Sequence, residues 1–335
     1  MKALVLHGAN GDYRYEPEWK KPGRPEKWLL IKVKYSGVCG SDIPRFAQKG
    51  SYSHPIILGH EFSGVVAEAD PGGIYQENDP VAVLPVIPCG ICESCLSKGP
   101  FHCANYQFIG SRNDGGFAEY CAVPENNVIK LASGDILRAG AFVEPMAVGL
   151  HSVRRSNFLP GKTAVIFGAG PIGLMIGIWL REFGGRWIVM ADIREMNLRI
   201  AKEAGFETVD LSKGSVSDIG GMDYAFEAAG SAKALQDSVE ALNGLGTLTV
   251  VGRDVKDTVI PVKTFETLMR KEIRIVTCWG YDMRREHNFV TGVLEKNAGI
   301  LERLITHEAE IEDAAALIGS MCEKKLEYCK VMIKL

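Results

Sequence analysis

The feature that most restricts the fold of this chain is a glycine-rich turn between two apolar segments. A strand-like run covers Thr163–Phe167, and it leads directly into the pattern G-x-G-x-x-G. Gly168 allows a tight turn, Gly170 lets the main chain approach a pyrophosphate, and Gly173 lets a helix lie close to the strand. The following residues have helical apolar spacing and end at Gly184. Strand, turn and helix in this order predict a dinucleotide-binding unit, with the phosphates at the helix N-terminus.

A second strand candidate, residues 187–192, ends in Asp192 at the spacing of about 20 residues expected after the glycine turn. A carboxylate there accepts hydrogen bonds from ribose hydroxyls and repels a 2′-phosphate, so we predict NAD rather than NADP. Arg194 could weaken that preference, and a solvated loop aspartate is the alternative interpretation. Further strand candidates alternate with segments that can be helical, which predicts a parallel doubly wound sheet. These candidates are residues 224–228, 246–252 and 273–278. The predicted cofactor contacts are Gly168, Gly170, Ile172, Gly173 and Asp192.

The bulk properties of the chain exclude several classes of protein. Residues 163–180 contain no charge and reach the lower limit of a membrane span, but glycines and a proline interrupt them. The 335 residues favour two domains, and a net charge of −3 argues against a nucleic-acid surface. The N-terminus shows no signal-peptide pattern. With nine cysteines as well, we expect a cytoplasmic protein that binds neither membranes nor nucleic acids.

One loop concentrates four of the cysteines. Cys89, Cys92, Cys95 and Cys103 follow one another as C-x2-C-x2-C-x7-C, with no helical or strand periodicity between them. Thiolates at this spacing predict a tetrahedral zinc site. Such a site is structural, because four thiolates leave no open coordination position. A disulfide cluster is the alternative, and the absence of a secretion signal disfavours it.

Three short motifs in the first half of the chain contain metal-ligating side chains. They are GVCGSD with Cys39, GHEFSG with His60, and FVEP with Glu144. A cysteine, a histidine and a carboxylate can hold a zinc ion whose fourth position stays open for water or substrate. Each residue also has an ordinary interpretation: a buried small thiol, a core or surface imidazole, and a helix N-terminal carboxylate. Their combination with the glycine turn and the cysteine loop favours a catalytic metal site.

In order and spacing, GVCGSD, GHE-x2-G, the cysteine loop and GAGPIG resemble the zinc-dependent medium-chain dehydrogenase/reductase family from end to end. The run EPMAVGLH, at residues 144–151, is similar to the polyol dehydrogenase branch. The resemblance implies an α/β fold with a GroES-like β-rich catalytic domain in residues 1–148 and 289–335. It also implies a doubly wound Rossmann NAD-binding domain in residues 149–288, and assembly as a homodimer or homotetramer.

The same resemblance implies the metal content and the reaction. We expect two zinc ions per chain, one catalytic and one structural, and hydride transfer from a secondary alcohol carbon to NAD. Cys39 and His60 are the implied ligands of the catalytic zinc. Glu61 and Glu144 share the remaining carboxylate role, and the resemblance does not decide which of them binds the metal directly.

Two neighbouring positions complete the implied site. Ser41 is expected to hydrogen-bond the reacting oxygen and to begin a proton path. Asp42 is expected to orient a ligand such as His60, although a turn-capping role is an alternative. Many relatives carry a histidine five residues after the zinc cysteine as a proton relay, and this chain has Pro44 there. The relay must therefore use other groups or water.

The substrate is predicted to be a small polyol or polyol phosphate. CGSDIPRF, PIILGHEFSGVV and FIGSRNDGGFAEY are similar to dehydrogenases of a phosphorylated sugar alcohol. A phosphate needs a cationic anchor, and Arg45, Arg112 and Arg253 are the candidates because a guanidinium suits a phosphate. An unphosphorylated polyol such as sorbitol is the alternative substrate. A non-catalytic dinucleotide-binding protein is a second alternative, but it would be expected to lack Cys39 or His60.

Overall fold

The computed structural model describes residues 1–253, 257–282 and 287–335. These residues form two compact units. The first comprises Met1–Glu144 and Met283–Leu335, and the second comprises Pro145–Asp282. The boundary expected at 148/149 lies four residues after the first division point, and that expected at 288/289 lies six residues after the second.

Short strands dominate the N-terminal part of the first unit. They are β1 (Ala3–Leu6), β2 (Tyr13–Glu16), β3 (Trp28–Val38), β4 (Ile56–Ile57), β5 (Glu61–Glu68), β6 (Pro80–Val83), β7 (Val86–Ile87), β8 (Gln107–Phe108), β9 (Tyr120–Pro124) and β10 (Val128–Lys130). The helices are α1 (Asp42–Pro44), which continues into a wider helical turn at Arg45–Lys49, and α2 (Leu137–Gly140). Helix α3 (Val143–Ser156) begins in the first unit and has most of its residues in the second. Frequent Gly and Pro residues keep these elements short, because both residues interrupt regular structure.

The second unit alternates strands with helices. Its strands are β11 (Thr163–Phe167), β12 (Trp187–Asp192), β13 (Glu207–Asp210), β14 (Met222–Glu227), β15 (Leu242–Val250) and β16 (Arg274–Thr277). Its further helices are α4 (Pro171–Glu182), α5 (Glu195–Glu203), α6 (Ala232–Ala241) and α7 (Val262–Arg270). The strands form one parallel sheet in the order β13-β12-β11-β14-β15-β16. This is the strand order of the doubly wound dinucleotide-binding fold, so the predicted fold is confirmed.

The C-terminal residues return to the first unit. They form α8 (His287–Lys296), α9 (Ala298–Arg303), β17 (Ile305–Glu310), α10 (Ala314–Cys322) and β18 (Lys330–Lys334). Strand β18 pairs antiparallel with β3 and parallel with β17. The main sheet has the order β10-β6-β5-β3-β18-β17, and β9 also pairs with β3. The return of the C-terminal segment, expected from the family resemblance, is therefore present.

One strand was missed by the sequence analysis. Strand β13 has the sequence ETVD and lies at the edge of the parallel sheet. Its side chains are half-buried or exposed, so it lacks the apolar run that revealed its neighbours. The three further strand candidates correspond to β14, β15 and β16.

The uncharged stretch from residue 163 to residue 180 is a buried part of the second unit. It forms β11, the glycine turn and most of α4, and Trp179 and Leu180 are fully buried there. Val165, Val189 and Leu248 pack in the same core. Among the described residues, no helix combines the length and the apolar character needed to cross a bilayer.

Candidate active site and metal centres

Two neighbouring strands bring three predicted metal ligands together. Strand β3 ends directly before Cys39, and β5 begins directly after His60. Their antiparallel register pairs Gly37 with Glu61, so the end of one strand meets the start of the other. The ligand atoms of Cys39, His60 and Glu61 lie within 4.8 Å of one another. Strand pairing thus assembles a compact ligand set.

Asp42 orients two members of this set from α1. Its side chain is buried, and its Oδ2 accepts a hydrogen bond from the Cys39 N–H at 3.0 Å. Its Oδ1 lies 3.4 Å from His60 Nδ1. Burial lowers the pKa of His60, but Asp42 and Cys39 outweigh this effect, so the pKa lies well above its ordinary value. Because Nδ1 faces Asp42, Nε2 is the ring nitrogen left for a metal.

A lysine that the sequence analysis did not find completes the site. Lys330, at the start of β18, is 3% exposed, and its Nζ forms an ion pair with Glu61 Oε2. Burial lowers the pKa of Lys330, but Glu61 and Cys39 outweigh this and raise it. Gly37 provides space for the pair, because a Cβ there would lie 2.5 Å from Glu61 Oε2. The one available signal was a lysine inside an apolar run, since a buried lysine needs a counter-charge.

Glu144 lies in α3, buried close to the ligand set. Burial raises its pKa to about 7, with His60 and Lys330 opposing the shift and Glu61 adding to it. Glu144 is not one of the three residues whose ligand atoms lie within 4.8 Å of one another. The geometry therefore distinguishes the two candidate carboxylates and places Glu61 among the ligand atoms.

The chemistry of the three donors suits zinc. A thiolate, an imidazole and a carboxylate are all zinc ligands, and three of them leave a fourth position open. Cys39, His60 and Glu61 could therefore hold a catalytic zinc. Ser41 is exposed beside Cys39, and its hydroxyl makes no capping hydrogen bond to α1.

The cysteine loop forms a second compact ligand set. The four sulfurs of Cys89, Cys92, Cys95 and Cys103 lie within 4.8 Å of one another. Cys95 Sγ is 3.4 Å from Cys92 Sγ and 3.8 Å from Cys89 Sγ. Sulfurs bound tetrahedrally at about 2.3 Å from zinc lie about 3.8 Å apart, so this set also fits zinc. Main-chain N–H groups, first that of Ile91, lower the pKa of Cys89 to about 6, which favours the metal-binding thiolate.

The disulfide alternative for this loop is wrong in this structure. All nine cysteines of the chain lie in the described residues, and each is a free thiol.

The glycine turn leaves space for a phosphate group. Gly168 has φ of +101°, and a Cβ at Gly173 would lie 1.9 Å from the Gly168 carbonyl oxygen. A Cβ at Gly170 would have its nearest neighbour 3.8 Å away, so the main chain is open there. Helix α4 begins directly afterwards at Pro171, and Ile172 is half-buried in its first turn. An anion at this point would face the N-terminus of α4.

Asp192 ties the glycine turn to the next strand. Its Oδ2 accepts hydrogen bonds from the Ala169 N–H and from Asn197 Nδ2, both at 2.8 Å. Its Oδ1 accepts from the N–H groups of Ile193 and Arg194. These four bonds occupy the acceptor positions of the carboxylate. Asp192 would therefore act on a bound dinucleotide chiefly through its negative charge. Asp192 also lines a cavity of about 410 Å³ beside the glycine turn.

Two of the three arginines proposed as phosphate anchors lie together. The guanidinium groups of Arg45 and Arg112 lie 5.1 Å and 4.4 Å from the centre of the Tyr52 ring. Arg253 is exposed and belongs to the second unit, where it follows β15. The first unit therefore carries a paired cationic feature that sequence spacing did not reveal.

Comparisons with known proteins agree with this geometry. Residues 25–133 match the alcohol dehydrogenase GroES-like domain, and residues 171–296 match the zinc-binding dehydrogenase domain. Galactitol 1-phosphate 5-dehydrogenase from Escherichia coli K12 is 33% identical, over 89% of this chain and 90% of that protein. The chain belongs to the zinc-dependent medium-chain dehydrogenase/reductase family. Sorbitol dehydrogenase from Bacillus subtilis is 29% identical to this dehydrogenase, over 99% of this chain and 97% of that protein.

Solved structures show the same architecture. The crystal structure of galactitol-1-phosphate dehydrogenase from Escherichia coli has a TM-score of 0.91 and 31% identity over the whole of both chains. A zinc-binding dehydrogenase from Sinorhizobium meliloti bound to NADP has a TM-score of 0.91 and 27% identity, covering 100% and 99% of the two chains. The rspB alcohol dehydrogenase from Escherichia coli CFT073, complexed with NADH, has a TM-score of 0.87 and 25% identity, with the same coverage. Zinc and a nicotinamide dinucleotide are the cofactors of this dehydrogenase.

Proposed function

We propose that this dehydrogenase oxidises galactitol 1-phosphate to tagatose 6-phosphate, with NAD as the hydride acceptor. The observation that carries the oxidation is the set of Cys39, His60 and Glu61, whose ligand atoms lie within 4.8 Å of one another. The phosphorylated substrate is supported by the 33% identity to the Escherichia coli enzyme over 89% of the chain. We propose that the two sets of ligands hold one catalytic and one structural zinc ion.

The chain's own groups prepare the metal site. Zinc, once bound there, supplies a Lewis acid that makes the substrate hydroxyl more acidic. Asp42 faces His60 Nδ1 and thereby fixes the ring so that Nε2 serves the metal. Lys330 balances the charge of Glu61, so the buried carboxylate is paired. The site therefore holds its ligands in place before substrate binds.

The reaction separates a hydride from a proton. A bound nicotinamide dinucleotide would supply the hydride acceptor, so that the carbinol carbon would become a carbonyl. The hydroxyl proton would have to leave separately, to solvent. We propose that Ser41 Oγ accepts a hydrogen bond from the substrate hydroxyl and starts this path to solvent, since Pro44 has no titratable group.

We propose NAD rather than NADP as the cofactor. Asp192 places a negative charge at the wall of the cavity beside the glycine turn. A 2′-phosphate brought to that wall would be repelled. Related structures include one with NADP and one with NADH, so family membership alone does not fix the preference.

An unphosphorylated polyol is the second candidate substrate. The observation that favours it is the 29% identity to sorbitol dehydrogenase from Bacillus subtilis over 99% of this chain. The metal site does not discriminate between the two candidates, because it contacts the reacting carbon's oxygen in either case. Discrimination must come from groups that meet the far end of the substrate.

Steady-state kinetics with four polyols tests the proposed function. We expect kcat/KM for galactitol 1-phosphate with NAD to exceed that for galactitol by at least about 100-fold, because charged contacts to the phosphate are lost in galactitol. Sorbitol tests whether any unphosphorylated hexitol is oxidised. Ribitol 5-phosphate tests whether a phosphate on a different polyol is sufficient. With NADP in place of NAD, we expect at least about a tenfold loss. Equal values for galactitol and its phosphate would favour the second candidate, and no NADH from any polyol would favour the non-catalytic alternative.

We propose that the dehydrogenase assembles as a homodimer or homotetramer through β16. This strand is an edge of the six-stranded sheet, and its Ile275 is 46% exposed. Val262, Phe265 and Met269 of α7 are exposed as well. Open edges and clustered apolar side chains need a cover, and a two-fold axis lets two copies of one edge pair. Sedimentation equilibrium should give the mass of a dimer or a tetramer of the 36.6 kDa chain. A monomer mass at micromolar concentration would contradict this assembly.

A further inference from the structure

Two guanidinium groups converge on one tyrosine in the first unit. Arg45 lies 5.1 Å and Arg112 lies 4.4 Å from the centre of the Tyr52 ring. Arg112 also lies 4.6 Å from the centre of the Tyr106 ring. Both arginines are half-buried, whereas Tyr52 is 64% exposed. The two guanidinium groups therefore share one exposed tyrosine ring as a cation–π partner.

Hydrogen bonds connect the helical turn that carries Arg45 to the loop that carries Arg112. Arg45 Nη1 donates to Ser51 Oγ at 3.3 Å, and Ser51 Oγ donates to the Ser111 carbonyl oxygen at 2.5 Å. The Arg112 N–H donates to the Phe108 carbonyl oxygen at 2.9 Å. The segment that follows Arg45 is thus joined to the loop that carries Arg112.

Both arginines are attached to elements of the metal site. Arg45 follows Asp42 by three residues, and its N–H donates to the Asp42 carbonyl oxygen. Asp42 in turn contacts His60. On the other side, the Phe108 ring packs edge-on against the His60 ring, with 5.5 Å between their centres. Arg45 and Arg112 are therefore each linked to His60 through one residue, Asp42 for Arg45 and Phe108 for Arg112.

Among the described residues, no carboxylate pairs with Arg45 or Arg112, whereas other arginines of the unit have such a partner. Arg14, Arg24 and Arg138 of the same unit each form an ion pair with a carboxylate. Across residues 1–253, 257–282 and 287–335, neither Arg45 nor Arg112 forms one. Two neighbouring cations without a carboxylate create a site that favours an anion. The same charges act on the nearby phenol, because a hydrogen bond from Arg45 lowers the pKa of Tyr52.

We propose that Arg45 and Arg112, supported by Tyr52, bind the phosphate group of the polyol substrate. This inference rests on the proposed dehydrogenase function and deepens it, because it assigns substrate choice to named side chains. Each guanidinium offers a planar pair of donors that matches two phosphate oxygens. A phosphate held here would place its polyol chain toward the adjacent metal site. An unphosphorylated polyol would leave both cations without a partner.

Charge-removing variants test the assignment. In Arg45→Gln and Arg112→Gln, we expect the ratio of kcat/KM for galactitol 1-phosphate to that for galactitol to fall about tenfold each. In the double variant we expect a fall of about 100-fold. Arg45→Lys and Arg112→Lys keep the charge but lose the planar fork, so their ratios should be intermediate. An unchanged ratio in the double variant would overturn the proposal.

Lys21→Gln is the matched control. Lys21 Nζ also lies over a tyrosine ring, 4.4 Å from the centre of Tyr120. It pairs with Glu68, at the opposite end of β5 from Glu61, about 23 Å along the strand. We expect its substrate ratio to equal that of the wild type. An equal fall of the ratio in Lys21→Gln and in the arginine variants would overturn the proposal, because net charge alone would then explain it.

Binding measurements separate this inference from the proposed oxidation. We expect calorimetry with galactitol 1-phosphate to show binding by the wild type and at least about 100-fold weaker binding by the double variant. Loss of binding in the double variant, with no NADH formed by the wild type, would support the phosphate site and refute the oxidation. Equal affinity of both proteins, with normal NADH formation by the wild type, would refute the phosphate site and leave the oxidation standing. Equal zinc content and equal melting temperatures verify that the variants are folded.

Discussion

Replacing Cys39 with serine is expected to lower kcat at least about 1,000-fold while the protein stays folded. The Cys39 thiolate is one of three ligand atoms within 4.8 Å that can hold the catalytic zinc. A bound metal contributes several kcal/mol to stabilising the transition state, and each 1.36 kcal/mol corresponds to a factor of ten in rate. The substitution removes a thiolate from a half-buried position, so we expect little change in the free energy of unfolding.

Three measurements check this expectation. They are kcat with the best polyol, the number of zinc ions per chain, and the melting temperature. Zinc should fall from two ions per chain to one, while the melting temperature stays close to that of the wild type. Cys322→Ser is the control, because Cys322 is a half-buried thiol outside both ligand sets. Wild-type turnover in Cys39→Ser would show that the assigned metal mechanism is wrong.

Replacing Cys92 with serine is expected to destabilise the protein by an amount on the order of 4 kcal/mol. Cys92 Sγ lies 3.4 Å from Cys95 Sγ and accepts a hydrogen bond from the Cys95 N–H. The loop has little apolar packing of its own, because Ile91 is 85% exposed and Leu96 is 71% exposed. Metal binding must therefore supply the energy that orders this segment.

Denaturant unfolding, zinc analysis and limited proteolysis of the loop measure the effect. We expect one zinc ion per chain in Cys92→Ser, an earlier unfolding midpoint, and new cleavage between residues 89 and 103. Ile91→Ser is the matched control, since it changes an exposed side chain in the same loop. Two zinc ions and an unchanged midpoint in Cys92→Ser would remove the basis for a structural metal site.

Features whose parts are close together in the chain could be predicted from the sequence. The glycine turn needs only a strand, three glycines and a helix in succession, and β11 and α4 flank it as expected. The cysteine loop likewise carries its ligands within one short segment. In both cases local spacing determines the geometry, so no knowledge of the tertiary fold is required.

Features that depend on pairing between distant segments could not be predicted. The ion pair of Lys330 with Glu61 joins residues 269 positions apart, and only the pairing of β18 with β3 brings them together. The convergence of Arg45 and Arg112 on Tyr52 depends on a helical turn and a distant loop that meet in the folded unit. Sequence patterns identified these arginines as separate candidates, because their proximity is not encoded in local spacing.

Strand β18 has a consequence for the order in which this protein is made. It lies between β3 and β17 in the main sheet, although the whole second unit separates it from β3 in the chain. On the ribosome, the part of β3 from Tyr35 to Val38 therefore lacks its neighbour, and Glu61 lacks Lys330, until β18 emerges. The ribosome must therefore synthesise the whole second unit before Lys330 can neutralise the charge of Glu61 at the metal site.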